Sequence, residues 1–176
     1  MPTERRQAQC EDPLTPAQRS YNMRRIRGRD TKPELLLRRA LHALGLRYRV
    51  HDVRLPGKPD VVLARWNAVI FVHGCFWHGH DCSLGVSPRS NAVFWRNKIA
   101  SNQARDEVQA TALCAAGWRV ATVWQCALTG RRRLGAQRVA TLLRDWLLSE
   151  TVTIEVREQG GATGPYSRQL SQLPST

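Results

Sequence analysis

Ten consecutive residues, His73-Gly74-Cys75-Phe76-Trp77-His78-Gly79-His80-Asp81-Cys82, hold three histidines and two cysteines, and no other stretch restricts the fold as strongly. A tetrahedral zinc site takes four soft or borderline ligands, commonly thiolates mixed with imidazoles. Cys75, one of the histidines and Cys82 can supply three of them from this loop. Cys126, just beyond the apolar segment Arg119–Trp124, can supply the fourth and would tie the loop to a strand. The spacing does not say which histidine ligates. At least one imidazole is left spare, and a spare imidazole beside such a site is a candidate acid or base. Cys10 and Cys114 stand apart from the pattern and read as bystanders.

Five cysteines is an odd number, and Met1-Pro2-Thr3-Glu4-Arg5-Arg6 leads into no apolar stretch. Thiols or metal ligands in a reducing compartment are therefore expected, rather than a disulfide framework or a secretory signal. The longest uninterrupted apolar run is Ala68 to Val72, far short of the ~20 residues that cross a bilayer. A soluble cytoplasmic protein with no membrane partner is the expectation.

Charge narrows the class further. The 27 Lys+Arg and 14 Asp+Glu give a formal net charge of +13. Residues 1–18 and 151–176 together hold four basic and five acidic side chains, so 19–150 carries 23 basic and nine acidic, a net of +14. The surplus belongs to the part expected to fold, which makes a polyanion the first partner to suspect.

Patterning divides the chain into three. Residues 1–18 are polar and read as a mobile lead-in, and 151–176, rich in Gly, Gln, Ser and Thr, read as a mostly disordered tail. Between them lies one α/β domain over 19–150. Thr31-Lys32-Pro33-Glu34 has the form of a helix start, followed by Leu36, Leu37, Ala40, Leu41 and Leu44 at helical spacing, with Gly45 as the stop. Tyr48–Val50, Val61–Ala64, Ala68–Val72 and Arg119–Trp124 read as strands. Residues 91–116 read as a long helix with Ala104, Val108, Ala112 and Ala115 on its apolar side. Val139, Leu142, Leu143, Trp146 and Leu147 mark another, strongly amphipathic helix.

Two further groups could carry chemistry. Pro59-Asp60 opens a strand, and a carboxylate there, opposite a polar group on the neighbouring strand, can fix Mg²⁺ near a phosphate. Glu34 could act catalytically or simply complete a capping box with Thr31. The adjacent pairs Phe76-Trp77 and Phe94-Trp95 cannot all face a core from such short segments. Some of these rings are available to stack on bases or wedge between base pairs, or else to pack over the metal loop.

Together these residues resemble one family, the very short patch repair (Vsr) DNA mismatch endonucleases. The likeness runs from Ser20-Tyr21-Asn22-Met23-Arg24 to Leu147. Its most specific parts are Leu55-Pro56-Gly57-Lys58-Pro59-Asp60, Val69 to His78, Gly117-Trp118-Arg119-Val120 and Trp124-Gln125-Cys126-Ala127-Leu128. The resemblance implies a restriction-endonuclease-like fold, with a mixed central sheet flanked by helices and a structural zinc. It implies nicking of one strand 5′ to the thymine of a T:G mismatch left by deamination of 5-methylcytosine, as the start of very short patch repair. By the same resemblance the zinc ligands fall on Cys75, His80, Cys82 and Cys126. A catalytic Mg²⁺ falls on Asp60 and the main chain of Val72. His73, His78 and Glu34 take active-site roles, and Phe76, Trp77 and Trp95 insert beside the mismatch. Host mismatch-repair proteins and a repair polymerase become expected partners, and the protein an expected monomer.

The sequence departs from the family pattern at Val72, where threonine is usual, and at Gly79, in a run that is elsewhere richer in histidine. Val72-His73-Gly74 also occupies the region where the wider nuclease superfamily carries Glu-x-Lys, so histidine chemistry must replace the lysine. The rival readings are a non-catalytic zinc module that binds DNA and a basic RNA-binding protein. Of the basic surplus, +9 lies in residues 19–58, with 12 basic and three acidic side chains, upstream of Asp60. Phosphate contacts from that segment would position a duplex without reading its sequence.

Overall fold

Side chains alternate between the two faces of a strand, so the apolar run at Ala68–Val72 needs a cover on each side. The computed structural model describes residues 28–88 and 90–159, with Thr15, Ala17, Gln18 and Tyr21. Its elements run α1 (Lys32–Ala43), β1 (Val61–Leu63), a 3₁₀ turn (Ala64–Trp66), β2 (Ala68–His73), α2 (Ala92–Ala115), β3 (Arg119–Trp124), α3 (Gln125–Thr129), α4 (Ala136–Leu147) and β4 (Thr153–Val156). The strands form one mixed sheet in the order β1-β2-β3-β4. β1 and β2 are antiparallel, whereas β2–β3 and β3–β4 are parallel.

On one face Val61, Leu63, Ala68, Ile70, Ala121 and Val123 pack against Leu37 and Leu41 of α1 and Val139, Leu143 and Trp146 of α4. On the other, Val62, Val69 and Val120 pack on Leu113 of α2. Period-two alternation continues along β2 and sends His73 to the same side as Val69 and Phe71, toward α2. Arg119 secures the end of α4 by donating to the carbonyls of Trp146, Leu147 and Thr151, with its guanidinium 4.6 Å over the Trp146 ring.

Three expectations change. Residues 153–156 were expected to belong to a disordered tail, yet they form β4, paired in parallel with β3 from Val120↔Thr153 to Val123↔Val156. Val152, Ile154 and Val156 alternate with Thr153, Glu155 and Arg157, a period-two signal that is short and that the Gly- and Gln-rich composition of the residues after it masks. Tyr48–Val50 contributes only the isolated bridge Arg49↔Val62. The expected apolar side of α2 is also wrong: Ala104, Val108, Ala112 and Ala115 are exposed, Val108 by 68%. The helix turns Asn102, Asp106 and Leu113 inward instead, a face that is half polar because it meets the loop after β2. The expected lead-in, apart from Thr15, Ala17 and Gln18, and the tail beyond 159 lie outside the described residues.

Candidate active site and metal centre

The loop leaving β2 folds back on itself by main-chain bonds, His80 N–H to the Cys75 carbonyl at 3.0 Å and Gly85 N–H to the Cys82 carbonyl at 3.0 Å. This closure brings Cys75, His80 and Cys82 to Cys126 of α3, with ligand atoms all within 4.8 Å of one another. Cys75 and Cys126 are fully buried. The Cys126 main-chain N–H donates to the Cys75 sulfur at 3.3 Å, and His80 Nδ1 stands 3.6 Å from the Cys126 sulfur. A hydrogen bond from Cys75 pulls the Cys126 thiol down to about 6, while that interaction and burial push Cys75 up. Three thiols and one imidazole nitrogen, all but the partly exposed Cys82 buried, suit a borderline-soft divalent cation, and the donor set fits zinc. Gly85 is required by close approach, since a Cβ there would lie 1.8 Å from the His80 carbonyl oxygen.

The rest of the loop presents the other imidazoles. His73, the last residue of β2, and His78 lie ring on ring, centroids 4.0 Å apart. The edge of Trp124 meets both. His78 Nδ1 pairs with the Asp106 carboxylate from α2. Asn102 and Gln103 of the same helix donate to the carbonyls of Trp77 and His78, at 2.7 and 2.9 Å. Burial, and then the neighbouring His78, lower His73 to about 3, so His73 is a neutral imidazole near pH 7.

Asp60, immediately before β1, accepts the Val72 main-chain N–H at 2.7 Å. Desolvation raises its carboxyl to about 6, the Val72 N–H working in the opposite direction. Glu34 is almost fully buried and accepts from the Thr31 hydroxyl at 2.7 Å, the Asp30 main-chain N–H at 2.9 Å and Arg38 Nη2 at 2.9 Å. The capping box is thus altered: Thr31 donates to Glu34 instead of capping the helix main chain. Glu34 reaches the neighbourhood of Asp60 through His51, which lies 3.8 Å from each carboxylate.

Phe76, Trp77 and Trp95 form an edge-to-face trio, with centroid separations of 4.9 to 6.0 Å. All three remain partly exposed, and Phe94, 60% exposed, packs on Trp95. They neither join the core nor cover the cysteine cluster. Cys114 takes no part in that cluster, and Cys10 lies outside the described residues. Sequence reasoning missed Asp106, His51, Arg38 and Asp30. Asp106 could have been found from the polar repeat Asn102, Asp106, Gln109 along α2, whereas His51 sits in a segment with no local signal.

Fold and site together define a class of α/β protein, in which a closed three-cysteine, one-histidine cluster braces a group of carboxylates and imidazoles beside partly exposed aromatic rings. The family model described as DNA mismatch endonuclease Vsr matches residues 11–84. The type II nicking enzyme V.XorIIP of Xanthomonas oryzae pv. oryzae is 48% identical over 72% of this chain and 93% of its own length. The DNA mismatch endonuclease Vsr of Escherichia coli K12 is 43% identical over 82% of this chain and 92% of its own. The type II nicking enzyme V.NmeAIP of Neisseria meningitidis serogroup A is 42% identical over 76% and 95%. The chain belongs to the Vsr family, and with it to the strand-nicking DNA endonucleases. Among the described residues no helix is long and apolar enough to cross a membrane.

Proposed function

We propose that this enzyme nicks one strand of duplex DNA 5′ to the thymine of a T:G mismatch arising from 5-methylcytosine deamination, by Mg²⁺-dependent hydrolysis, and so initiates very short patch repair. The observation that carries the reading is that one ten-residue loop bears both kinds of equipment. It holds His73 and His78 ring on ring and Phe76 and Trp77 edge to face, braced by Cys75, His80 and Cys82.

The Asp60 carboxylate, with the Val72 carbonyl, would hold Mg²⁺. Bound there, the ion supplies charge stabilisation for the phosphate in the transition state. His73, at the end of β2, and His78, stacked on it and oriented by Asp106, are the imidazoles placed to take and return the proton of the attacking water. A general acid or base so placed contributes roughly 10²–10⁴-fold. Glu34 completes the carboxylate group beside Asp60. Zinc on Cys75, His80, Cys82 and Cys126 would fix the loop that carries this equipment. The restriction-endonuclease-like fold fits the mixed sheet, with Asp60 and His73 at the ends of adjoining strands. Phe76, Trp77 and Trp95 would enter the duplex at the mismatch, where a poorly stacked pair costs less to distort. A monomer in the bacterial cytoplasm, working with mismatch-repair proteins and a repair polymerase, completes the reading.

The test is a labelled duplex carrying one T:G mismatch in a methyltransferase-site context. With Mg²⁺ it should be cut once, beside the thymine, and Asp60→Ala should abolish the cut. Binding without cleavage would instead support a non-catalytic zinc-containing DNA-binding module, and stronger competition by RNA an RNA-binding role.

A further inference from the structure

Arg38 and His51 stand beside Asp60 without a part in the chemistry above. Arg38 is buried, and its guanidinium donates to Asp30 Oδ1 at 2.5 Å, Glu34 Oε2 at 2.9 Å and His51 Nε2 at 3.0 Å. Its own main-chain carbonyl accepts from the Tyr48 hydroxyl at 3.0 Å, which anchors this turn of α1 to the segment before His51. His51 has a positive φ of 49°, a left-handed conformation uncommon outside glycine. A bond from its main-chain N–H to the Pro59 carbonyl at 3.1 Å holds it there. That backbone ties His51 directly to the residue preceding Asp60.

The hydrogen-bonding roles follow from donor chemistry. A guanidinium has five N–H donors and no acceptor, so the 3.0 Å contact requires a lone pair on His51 Nε2. Nε2 also lies 3.5 Å from Asp30 Oδ1, an oxygen that the Arg38 guanidinium already serves. With Nε2 accepting from Arg38, the ring proton sits on Nδ1, which faces Asp60 Oδ1 from 3.8 Å, longer than a hydrogen bond. The other Asp60 oxygen is taken by the Val72 N–H. Asp30, Glu34 and His51 bring ligand atoms within 4.8 Å of one another, as a cation site would. The Arg38 guanidinium already supplies the positive charge among them.

We propose that Arg38 and His51 are a positioning pair for the Asp60 site: Arg38 locks His51 in its Nδ1–H tautomer, and so turns the positive edge of the ring toward the Asp60 oxygen left free by Val72, ready to close on it when the site is loaded. This rests on the reading of Asp60 as the carboxylate that holds the catalytic cation. The pair touches neither phosphate nor metal and acts through Asp60, as the outer partners of metal ligands do, whose loss typically costs 10–100-fold.

Two measurements on the full chain test the proposal. Nitrogen-15 imidazole spectra of the zinc-loaded protein, free of DNA and Mg²⁺, should show His51 protonated on Nδ1 with Nε2 as an acceptor. In Arg38→Lys, which keeps the charge and loses the fork, the Nε2–H tautomer should gain population. In nicking assays His51→Leu should lower kcat about 10–100-fold with KM for DNA little changed, and should raise the Mg²⁺ concentration for half-maximal rate. His51→Asn, whose amide N–H can stand where Nδ1–H stood, should recover most of that loss. A wild-type His51 protonated on Nε2, or a Leu variant with unchanged kcat and Mg²⁺ dependence, overturns the pair. An Asp60→Ala enzyme that still nicks overturns the reading of Asp60 itself, which separates the two failures.

Discussion

The imidazoles of His73 and His78 lie parallel, 3° apart in plane and 4.0 Å between centroids. Two rings at that distance cannot both carry charge comfortably, and Asp106 fixes the His78 ring in that stack by pairing with its Nδ1. His73 is left neutral. Replacing Asp106 with Asn should therefore impair nicking without removing either histidine. The expected loss in kcat is on the order of 10–100-fold with unchanged zinc content, measured by single-turnover cleavage and elemental analysis.

Asp60 offers a trade between stability and activity. Its folded-state value of about 6 lies above the usual 3.8, so the fold favours the protonated form. Stability from this group is complete below about pH 4 and is lost as pH rises through about 6. Asp60→Asn removes that buried charge. Without added Mg²⁺ the variant should be more stable than wild type at pH 8 by up to about 3 kcal/mol, an advantage that disappears near pH 4. Urea denaturation at both pH values measures it, and the same variant should not nick.

His73 gives the opposite sign. Burial lowers its value from 6.5 to about 3. The unfolded chain therefore binds an extra proton between those limits, and stability is lost as pH falls below about 6.5. His73→Asn should flatten that acid limb in denaturation curves taken between pH 4 and 7. An unchanged slope would show that His73 does not titrate in the unfolding reaction.

The cysteine cluster should hold one zinc per chain. Cys126→Ser removes the ligand that joins the loop to α3, and Gly85→Ala forces a Cβ against the His80 carbonyl. Each should lose the metal and destabilise the protein on the order of 3–5 kcal/mol, about 10 °C in Tm for a chain this size. Cys114→Ser, which lies outside the cluster, should keep full zinc occupancy.

The residues of β4 should also matter for zinc retention. Trp124 stacks on His80 at 4.1 Å and donates its indole N–H to Glu155 Oε1 at 2.5 Å, and Arg157 donates to the same oxygen at 2.6 Å. Glu155→Leu should lose zinc to a chromophoric chelator about 10–100-fold more readily than wild type, with the helices intact by circular dichroism.

Legibility followed the range of the interactions. The start of α1 at Thr31-Lys32-Pro33-Glu34, the limits of β3 and the buried face of α4 were readable because each rests on neighbours within a turn or on a simple alternation. The four cysteine and histidine candidates were readable as a group because thiol and imidazole chemistry is rare enough to stand out without coordinates. Which imidazole belongs with the thiols was not readable from spacing. The loop's own closure decides that, turning His80 toward Cys126 and stacking His78 on His73. Asp106 lies 28 residues from its partner, Glu155 31 from Trp124, and His51 13 from Arg38. The polar repeat along α2 marks Asp106 as a facing residue, but no local pattern names the partner in any of these contacts, because each needs a sheet crossover or a helix packed at a particular angle to bring its ends together. The amino-acid sequence by itself determined the chemistry available to this protein and the elements that carry it. Only the tertiary structure decided which carboxylate serves which imidazole, since pairing of side chains is set by where separate elements dock.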